Sequence, residues 1–117
     1  METLRYWHNP RCSKSREGLA LLASGAVTPE TVLYLAEPPS PAAVLALLAR
    51  LGGDPRRLVR FREDEAATLG LSPQDDRPAA EWAALLAANP RLIERPVLET
   101  ATRAVIGRPT EALLALL

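Results

Sequence analysis

Apolar and polar residues change their spacing along the first part of the chain, and this change predicts the first elements. An apolar and aromatic run from Leu4 to His8 ends at Asn9-Pro10, and its composition is typical of a β-strand. The next apolar residues recur at three and four positions up to a glycine stop at Gly25, which predicts a helix from about Ser13 to Ser24. We therefore expect a strand, a tight turn and a helix.

A second β-like run covers Thr31 to Leu35 and ends at Glu37-Pro38-Pro39. A helix that connects two strands of one sheet is typical of a parallel βαβ unit. Residues 40–90 then have helical spacing and repeated helix-start signals. We expect this block to be wholly helical, with helices that begin near Ser40-Pro41, Asp54-Pro55, Asp64 and Ala79.

Strand spacing returns after the helical block. The runs Val97-Leu98-Glu99 and Ala104-Val105-Ile106 flank a short connection that suits a β-hairpin. Arg108-Pro109 then begins a last helix. This order predicts an α/β fold class, with a four-stranded mixed sheet between helices. We expect one domain over residues 1–117, with a helical insertion at about 40–90.

The composition excludes several classes of protein. The chain has 117 residues, of which 48% are hydrophobic, and its 14 basic and 14 acidic side chains give a net charge of zero. A chain of this length can bury a core as one domain, but it has no long-range field to attract nucleic acid or an anionic membrane. No apolar run approaches the roughly 20 residues that span a bilayer, and the first residues do not resemble a signal peptide. We expect a cytoplasmic protein that binds neither nucleic acid nor membrane.

Cys12 is the only cysteine of the chain, so it cannot form an internal disulfide. It lies at the predicted start of a helix, where unpaired backbone N–H groups and the positive end of the helix dipole stabilise an anion. An ordinary thiol has a pKa of about 8.5 and is only slightly ionised at neutral pH. We predict that the helix end lowers the pKa of Cys12, and the same features would bind an oxyanion.

The neighbours of Cys12 have two interpretations each. Ser15 can donate its hydroxyl to the thiolate or cap the helix, and His8 can tune the site or pack at the end of the strand. Arg11, Lys14 and Arg16 add positive charge nearby or are ordinary solvated side chains. Cys12 itself would be an inert, small apolar residue on the alternative interpretation.

Several thiol-based sites are excluded by spacing. One cysteine and one histidine cannot form a closed zinc site, so we expect no metal. A phosphatase loop with an arginine six positions after the cysteine is absent because that position is Gly18. A thioredoxin-type dithiol would need a second cysteine where Ser15 stands.

The chain resembles a known family over most of its length. The segments that carry the resemblance are Tyr6-x-His8-Asn9-Pro10-x-Cys12-Ser13-Lys14-Ser15-Arg16, Val32-Leu33-Tyr34-Leu35, Leu58-Val59-Arg60, Leu69-Gly70-Leu71, Glu94-Arg95-Pro96-Val97 and Ile106-Gly107-Arg108-Pro109. Together they resemble the glutaredoxin-coupled arsenate reductases, most closely the short YfgD-like branch, which is related to the Spx-type regulators.

The resemblance implies a thioredoxin-like fold and a set of site residues. It implies that Cys12 is the nucleophile and that three arginines, Arg60, Arg95 and Arg108, converge on the substrate oxyanion. Planar guanidinium groups suit this task because each can hold two oxygens at once. The resemblance also implies a cis peptide bond before Pro96.

Three functions remain open from the sequence. The first is reduction of arsenate to arsenite by Cys12, with His8 and Ser15 as further catalytic residues, glutathione as co-substrate, glutaredoxin as partner and no bound cofactor. The second is a glutathione-linked thiol oxidoreductase that acts on another oxyanion or on a protein mixed disulfide. The third is a non-enzymatic interaction module similar to the Spx-type regulators, whose usual switch is a pair of cysteines.

Overall fold

A computed structural model describes residues 3–117 of the chain. Residues 3–37 and 95–117 form one compact unit, and Pro38–Glu94 form a second. The bounds of the second unit lie close to the predicted helical insertion at about 40–90. The grouping of both units into one domain stays a prediction. Within residues 3–117, none of the helices has the length and apolarity needed to cross a membrane.

The first unit contains a four-stranded sheet in the order β2-β1-β3-β4. Its strands are β1 (Arg5–Trp7), β2 (Glu30–Val32), β3 (Val97–Glu99) and β4 (Ala104–Ile106). β1 pairs with β2 in parallel, while β3 pairs antiparallel with both β1 and β4. The predicted α/β class, the mixed sheet, the parallel βαβ unit and the C-terminal hairpin are all confirmed.

Helix α1 (Ser13–Ser24) and a C-terminal 3₁₀ helix (Thr110–Leu116) pack against each other in this unit. Its core joins one buried residue from each of four elements, namely Tyr6, Leu22, Leu98 and Leu113. A methyl group on Gly18 would lie 2.2 Å from the Tyr6 hydroxyl oxygen, far inside van der Waals contact. The glycine therefore lets α1 approach β1 closely.

The second unit contains three α-helices, α2 (Pro41–Leu51), α3 (Asp64–Thr68) and α4 (Ala79–Ala88). α2 begins as its sequence predicts, because the Ser40 hydroxyl accepts a hydrogen bond of 3.1 Å from the Ala43 N–H and Pro41 occupies the first turn. The two longer helices pack through their buried faces, which consist of Val44, Leu47, Leu48, Trp82, Ala83 and Leu86.

The prediction that residues 40–90 are wholly helical is wrong. Val59 pairs with Ile93 in an isolated antiparallel bridge. The Glu94 N–H also donates to the Leu58 carbonyl at 2.6 Å, and the Arg60 N–H donates to the Leu92 carbonyl at 2.7 Å. Two short 3₁₀ helices, Pro55–Leu58 and Pro90–Leu92, precede the two paired segments. The backbone hydrogen bonds of these two segments thus join residues that are far apart in the sequence, and they are not the bonds of a helix.

Two element boundaries also differ from the prediction. The second strand ends at Val32, because Leu33 begins a turn in which its carbonyl accepts from the Glu37 N–H at 2.9 Å. The last helix is a 3₁₀ helix and not an α-helix. The cis bond at Arg95-Pro96 is confirmed, and Arg108-Pro109 is cis as well, which the sequence did not indicate.

Candidate active site

Cys12 occupies the N-cap position of α1, in the turn that follows β1. Its backbone is extended, its N–H donates to the Asn9 carbonyl at 2.9 Å, and its carbonyl accepts from the Arg16 N–H at 3.0 Å. The Arg11 N–H donates to the Asn9 side-chain oxygen at 3.0 Å. These bonds fix a tight turn that leaves the thiol half-buried at the end of the helix.

Cys12 is activated as the sequence predicts, although the cation responsible is a different one. Partial burial is the largest influence on the pKa of Cys12 and raises it, but the other influences outweigh burial and lower the pKa below its ordinary value. They are a hydrogen bond from the Ser15 backbone N–H, the hydrogen bond and positive charge of Arg95, and the Lys14 N–H. The thiolate therefore forms more readily than in a free cysteine.

Ser15 is fully buried, and its hydroxyl and its carbonyl form hydrogen bonds with different residues. Its hydroxyl lies 2.8 Å from His8 Nδ1 and accepts from the Asn9 N–H at 3.0 Å. Its carbonyl accepts a hydrogen bond of 2.6 Å from the Tyr6 hydroxyl. The expected hydroxyl bond from Ser15 to the thiolate is thus replaced by a backbone N–H bond, and the hydroxyl fastens β1 to α1.

His8 is buried at the end of β1, with only 8% of its surface exposed. Burial lowers the pKa of His8, and the positive charge of Arg16 lowers it further. The neutral ring is therefore the major form at neutral pH, and its Nδ1 can accept a hydrogen bond from the Ser15 hydroxyl. His8 thus orients Ser15, and a catalytic role for it stays a prediction.

Tyr6 is a site residue that the sequence did not indicate. Burial is the main cause that raises the pKa of Tyr6 to about 12, while the bond to Ser15 opposes this and the negative charge of Cys12 adds to it. The phenol therefore stays protonated and donates to the first turn of α1. One available signal is that Tyr6 and His8 are two positions apart and so share a face of the strand, but the aromatic content of this segment indicates only a strand.

The antiparallel register of the sheet brings distant residues to Cys12. Trp7 lies opposite Val97, and Val97 lies opposite Ile106. The segment after β1, which carries Cys12, therefore leaves the sheet at the same edge as the segment before β3 and the segment after β4. Those two segments carry Arg95 and Arg108.

Arg95 is half-buried and makes the side-chain hydrogen bond to Cys12. Arg108 is exposed, and its Nε donates to the Arg95 carbonyl at 2.8 Å. These two predicted substrate-binding arginines thus lie together. Two of the cations close to Cys12 in sequence have other partners, because Arg16 donates to the Pro10 carbonyl at 2.8 Å and Lys14 pairs with Glu17 at 3.5 Å.

Arg60 belongs to the second unit, where it follows the Val59 bridge. Its guanidinium pairs with the carboxylate of Glu63 and, at 3.8 Å, with that of Glu94. Its predicted convergence on the oxyanion at Cys12 stays a prediction. Among residues 3–117, no three His, Cys, Asp or Glu side chains are grouped to hold a metal ion.

Comparison with known proteins identifies the family. The model of the ArsC family matches residues 7–116. The chain belongs to the ArsC family. YfgD of Escherichia coli (strain K12) is 44% identical over 95% of this chain and 93% of its own length. An arsenate reductase of Neisseria meningitidis serogroup A is 37% identical over the whole of both chains.

A solved ArsC-type structure confirms the fold. The arsenate reductase from Vibrio cholerae superposes with a TM-score of 0.89 at 35% sequence identity, and the match covers 99% of this chain and 98% of that one. The predicted resemblance and the thioredoxin-like fold class are therefore confirmed.

Proposed function

We propose that this protein reduces arsenate to arsenite, with Cys12 as the nucleophile. Its membership of the ArsC family supports the proposal, as does its similarity to arsenate reductases over the full chain. The observation that carries it is the contact between Cys12 and Arg95, because it joins an activated thiol to a cation that can hold an oxyanion. A thiol that attacks an oxyanion needs both.

The reaction needs two electrons, and one cysteine cannot supply them alone. In our proposal the Cys12 thiolate attacks arsenic, an As–S bond forms, and one oxygen leaves as water. Glutathione then replaces a second oxygen, and a glutaredoxin thiolate attacks the glutathione sulfur. When the bond between the glutathione sulfur and arsenic breaks, its electron pair stays on arsenic, which becomes As(III). The glutathione sulfur and the glutaredoxin sulfur form a disulfide. Water then releases arsenite from Cys12.

The arginines would stabilise the charge on the arsenate oxygens. Arg95 and Arg108 would act together, since the Arg108 Nε bond to the Arg95 carbonyl holds the Arg108 side chain against the Arg95 backbone. Arg60 is the predicted third ligand. Removal of one such charged hydrogen-bond donor costs roughly 2.7–4 kcal/mol in well-studied oxyanion sites.

Protection of Cys12 from alkylation tests the binding part of this proposal. We expect arsenate to slow the reaction of Cys12 with iodoacetamide, and we expect Arg95→Gln and Arg108→Gln to weaken that protection at least ten-fold. Arg103→Gln is the matched control, because Arg103 lies before β4 at the opposite end of the strand from Arg108. Equal protection in all variants would remove these arginines from the site.

A second candidate is a glutathione-linked thiol oxidoreductase with another substrate. The observation that favours it is that the N–H groups and Arg95 activate Cys12 independently of arsenic. The rates of arsenate reduction and of deglutathionylation of a peptide, measured at equal enzyme, glutathione and glutaredoxin, separate the two functions. We expect arsenate to be the better substrate, and turnover of the peptide alone would favour the second candidate.

A further inference from the structure

A second feature of the first unit lies beside the proposed site. A charged recess of about 380 Å³ opens between the start of α1 and the segment that follows β4, and its functional groups come from Lys14, Glu17, Arg108, Thr110 and Glu111. This volume is within the range of small-molecule sites. We call it the charged recess.

The charged recess is lined by residues that adjoin the proposed site. Lys14 is two residues after Cys12, in the first turn of α1. Arg108 on the other side is one of the two arginines proposed to hold the arsenic adduct. A molecule bound between Lys14 and Arg108 would therefore lie beside the proposed site.

The charges of the recess suit a zwitterion. Each wall of the recess carries one cation and one carboxylate, with Lys14 and Glu17 on α1, and Arg108 and Glu111, next to the Thr110 hydroxyl, on the segment after β4. A simple anion would meet the carboxylates, and a simple cation would meet Lys14 and Arg108. A ligand that carries both an ammonium group and carboxylates can pair with both sets.

The other recess next to the Cys12 turn does not have this character. It encloses about 320 Å³, and among its lining residues Arg11 is the one fully charged side chain, with Leu33 and Leu35 on the opposite wall. A peptide-like zwitterion would leave its ammonium group without a counter-charge there. The charged recess is therefore the better match.

We propose that the charged recess binds glutathione, with its ammonium group on Glu111 and its carboxylates on Lys14 and Arg108. This proposal rests on the external-thiol part of the proposed function and adds the place from which that thiol arrives. The cysteine sulfur of the bound tripeptide then faces the adduct on Cys12.

Thiol–disulfide exchange tests the recess without arsenate. The Cys12 thiolate attacks one sulfur of oxidised glutathione, the S–S bond breaks, a Cys12–glutathione disulfide forms, and glutathione thiolate leaves. Bis(2-hydroxyethyl) disulfide undergoes the same exchange but carries no charge. Mass spectrometry follows both reactions. The rate constant for oxidised glutathione divided by that for bis(2-hydroxyethyl) disulfide reports recognition of the tripeptide, because the reactivity of Cys12 and the folded fraction of the protein affect both rate constants equally.

We expect Glu111→Gln and Lys14→Gln each to lower this ratio about three- to five-fold, as loss of an exposed charge pair predicts. The direction in which Glu111→Gln changes this ratio is decisive. Oxidised glutathione is an anion, so removal of a carboxylate would raise its rate if only long-range charge mattered. Glu30→Gln, on β2, is the control and should leave the ratio unchanged.

An unchanged or increased ratio in Glu111→Gln would overturn the charged recess as the glutathione site. The outcome is independent of the substrate, because arsenate is not in the assay. Absence of arsenate reduction together with the expected decrease in the ratio would contradict the proposed function and would still support the charged recess as the glutathione site.

Discussion

Ser15 shows how one residue joins the nucleophile to the strand that precedes it. Its hydroxyl bonds to His8 and to the Asn9 N–H, its carbonyl to Tyr6, and its N–H to Cys12. Because Ser15 is fully buried, loss of any partner would leave a polar group without compensation, at a cost of roughly 1–3 kcal/mol.

Alkylation of Cys12 as a function of pH measures its activation. Because the pKa of Cys12 is lowered, the rate should reach its plateau with an inflection below about 8.5, the value for a free thiol. Arg95→Gln should move the inflection upwards, since its hydrogen bond and charge favour the thiolate. An inflection at or above 8.5 in the wild type would contradict this account of the site.

Tyr6→Phe tests the strand-to-helix bond at the site. The change keeps the ring and removes the donor to the buried Ser15 carbonyl, so the free energy of unfolding in urea should fall by about 1–3 kcal/mol. We expect the pH profile of Cys12 alkylation to shift as well, since Ser15 also supplies the N–H to the thiolate. A loss of stability with an unchanged profile would give Tyr6 a structural role alone.

The sequence predicts the local part of the site better than the distant part. Cys12 and His8 could be singled out because they flank one turn, and the effect of the helix N-terminus follows from position alone. Arg95 could be named only through the family resemblance, because its contact with Cys12 depends on the register of β1 with β3. The partner of the Ser15 hydroxyl was not predictable, since a serine at that position can face either the thiol or the strand.

Helix boundaries were predictable where a local cap defines them. α1 runs over the predicted residues, α4 begins at the predicted Ala79, and α2 begins after its Ser40 cap. The end of β2 was not predictable from periodicity. Leu33 and Leu35 are exposed and Tyr34 is buried within the turn, which is the same alternation that a strand would give. Tyr34 is buried there against Trp7, with ring centroids 6.2 Å apart.

Ser40→Ala tests the contribution of the α2 cap. The change removes the acceptor for the Ala43 N–H, so we expect a loss of about 1 kcal/mol in the free energy of unfolding. Thermal unfolding followed by circular dichroism measures it, and Ser40→Thr, which retains a hydroxyl, should lose less. Equal stability of Ser40→Ala and wild type would show that solvent replaces the cap.

At the scale of the whole molecule, residues from both ends of the chain form the described site. The first unit combines residues 3–37 with residues 95–117, and its central β1–β3 pairing brings Cys12, Arg95 and Arg108 to one edge of the sheet. Pro38–Glu94 form the second unit, which carries Arg60. The fold class, the order of the strands and the approximate bounds of the second unit were predictable from the sequence, whereas the bridge between Val59 and Ile93 depends on long-range contacts that periodicity does not report.

Direct measurement of arsenite formation tests the central claim. Wild-type protein and Cys12→Ser are incubated with arsenate, glutathione, glutaredoxin and a system that recycles NADPH, and arsenite is separated and quantified. We predict catalytic formation of arsenite by the wild type, dependent on glutathione, and a rate at least 100-fold lower for Cys12→Ser. Equal rates for the two proteins, or no arsenite from the wild type, would contradict the account.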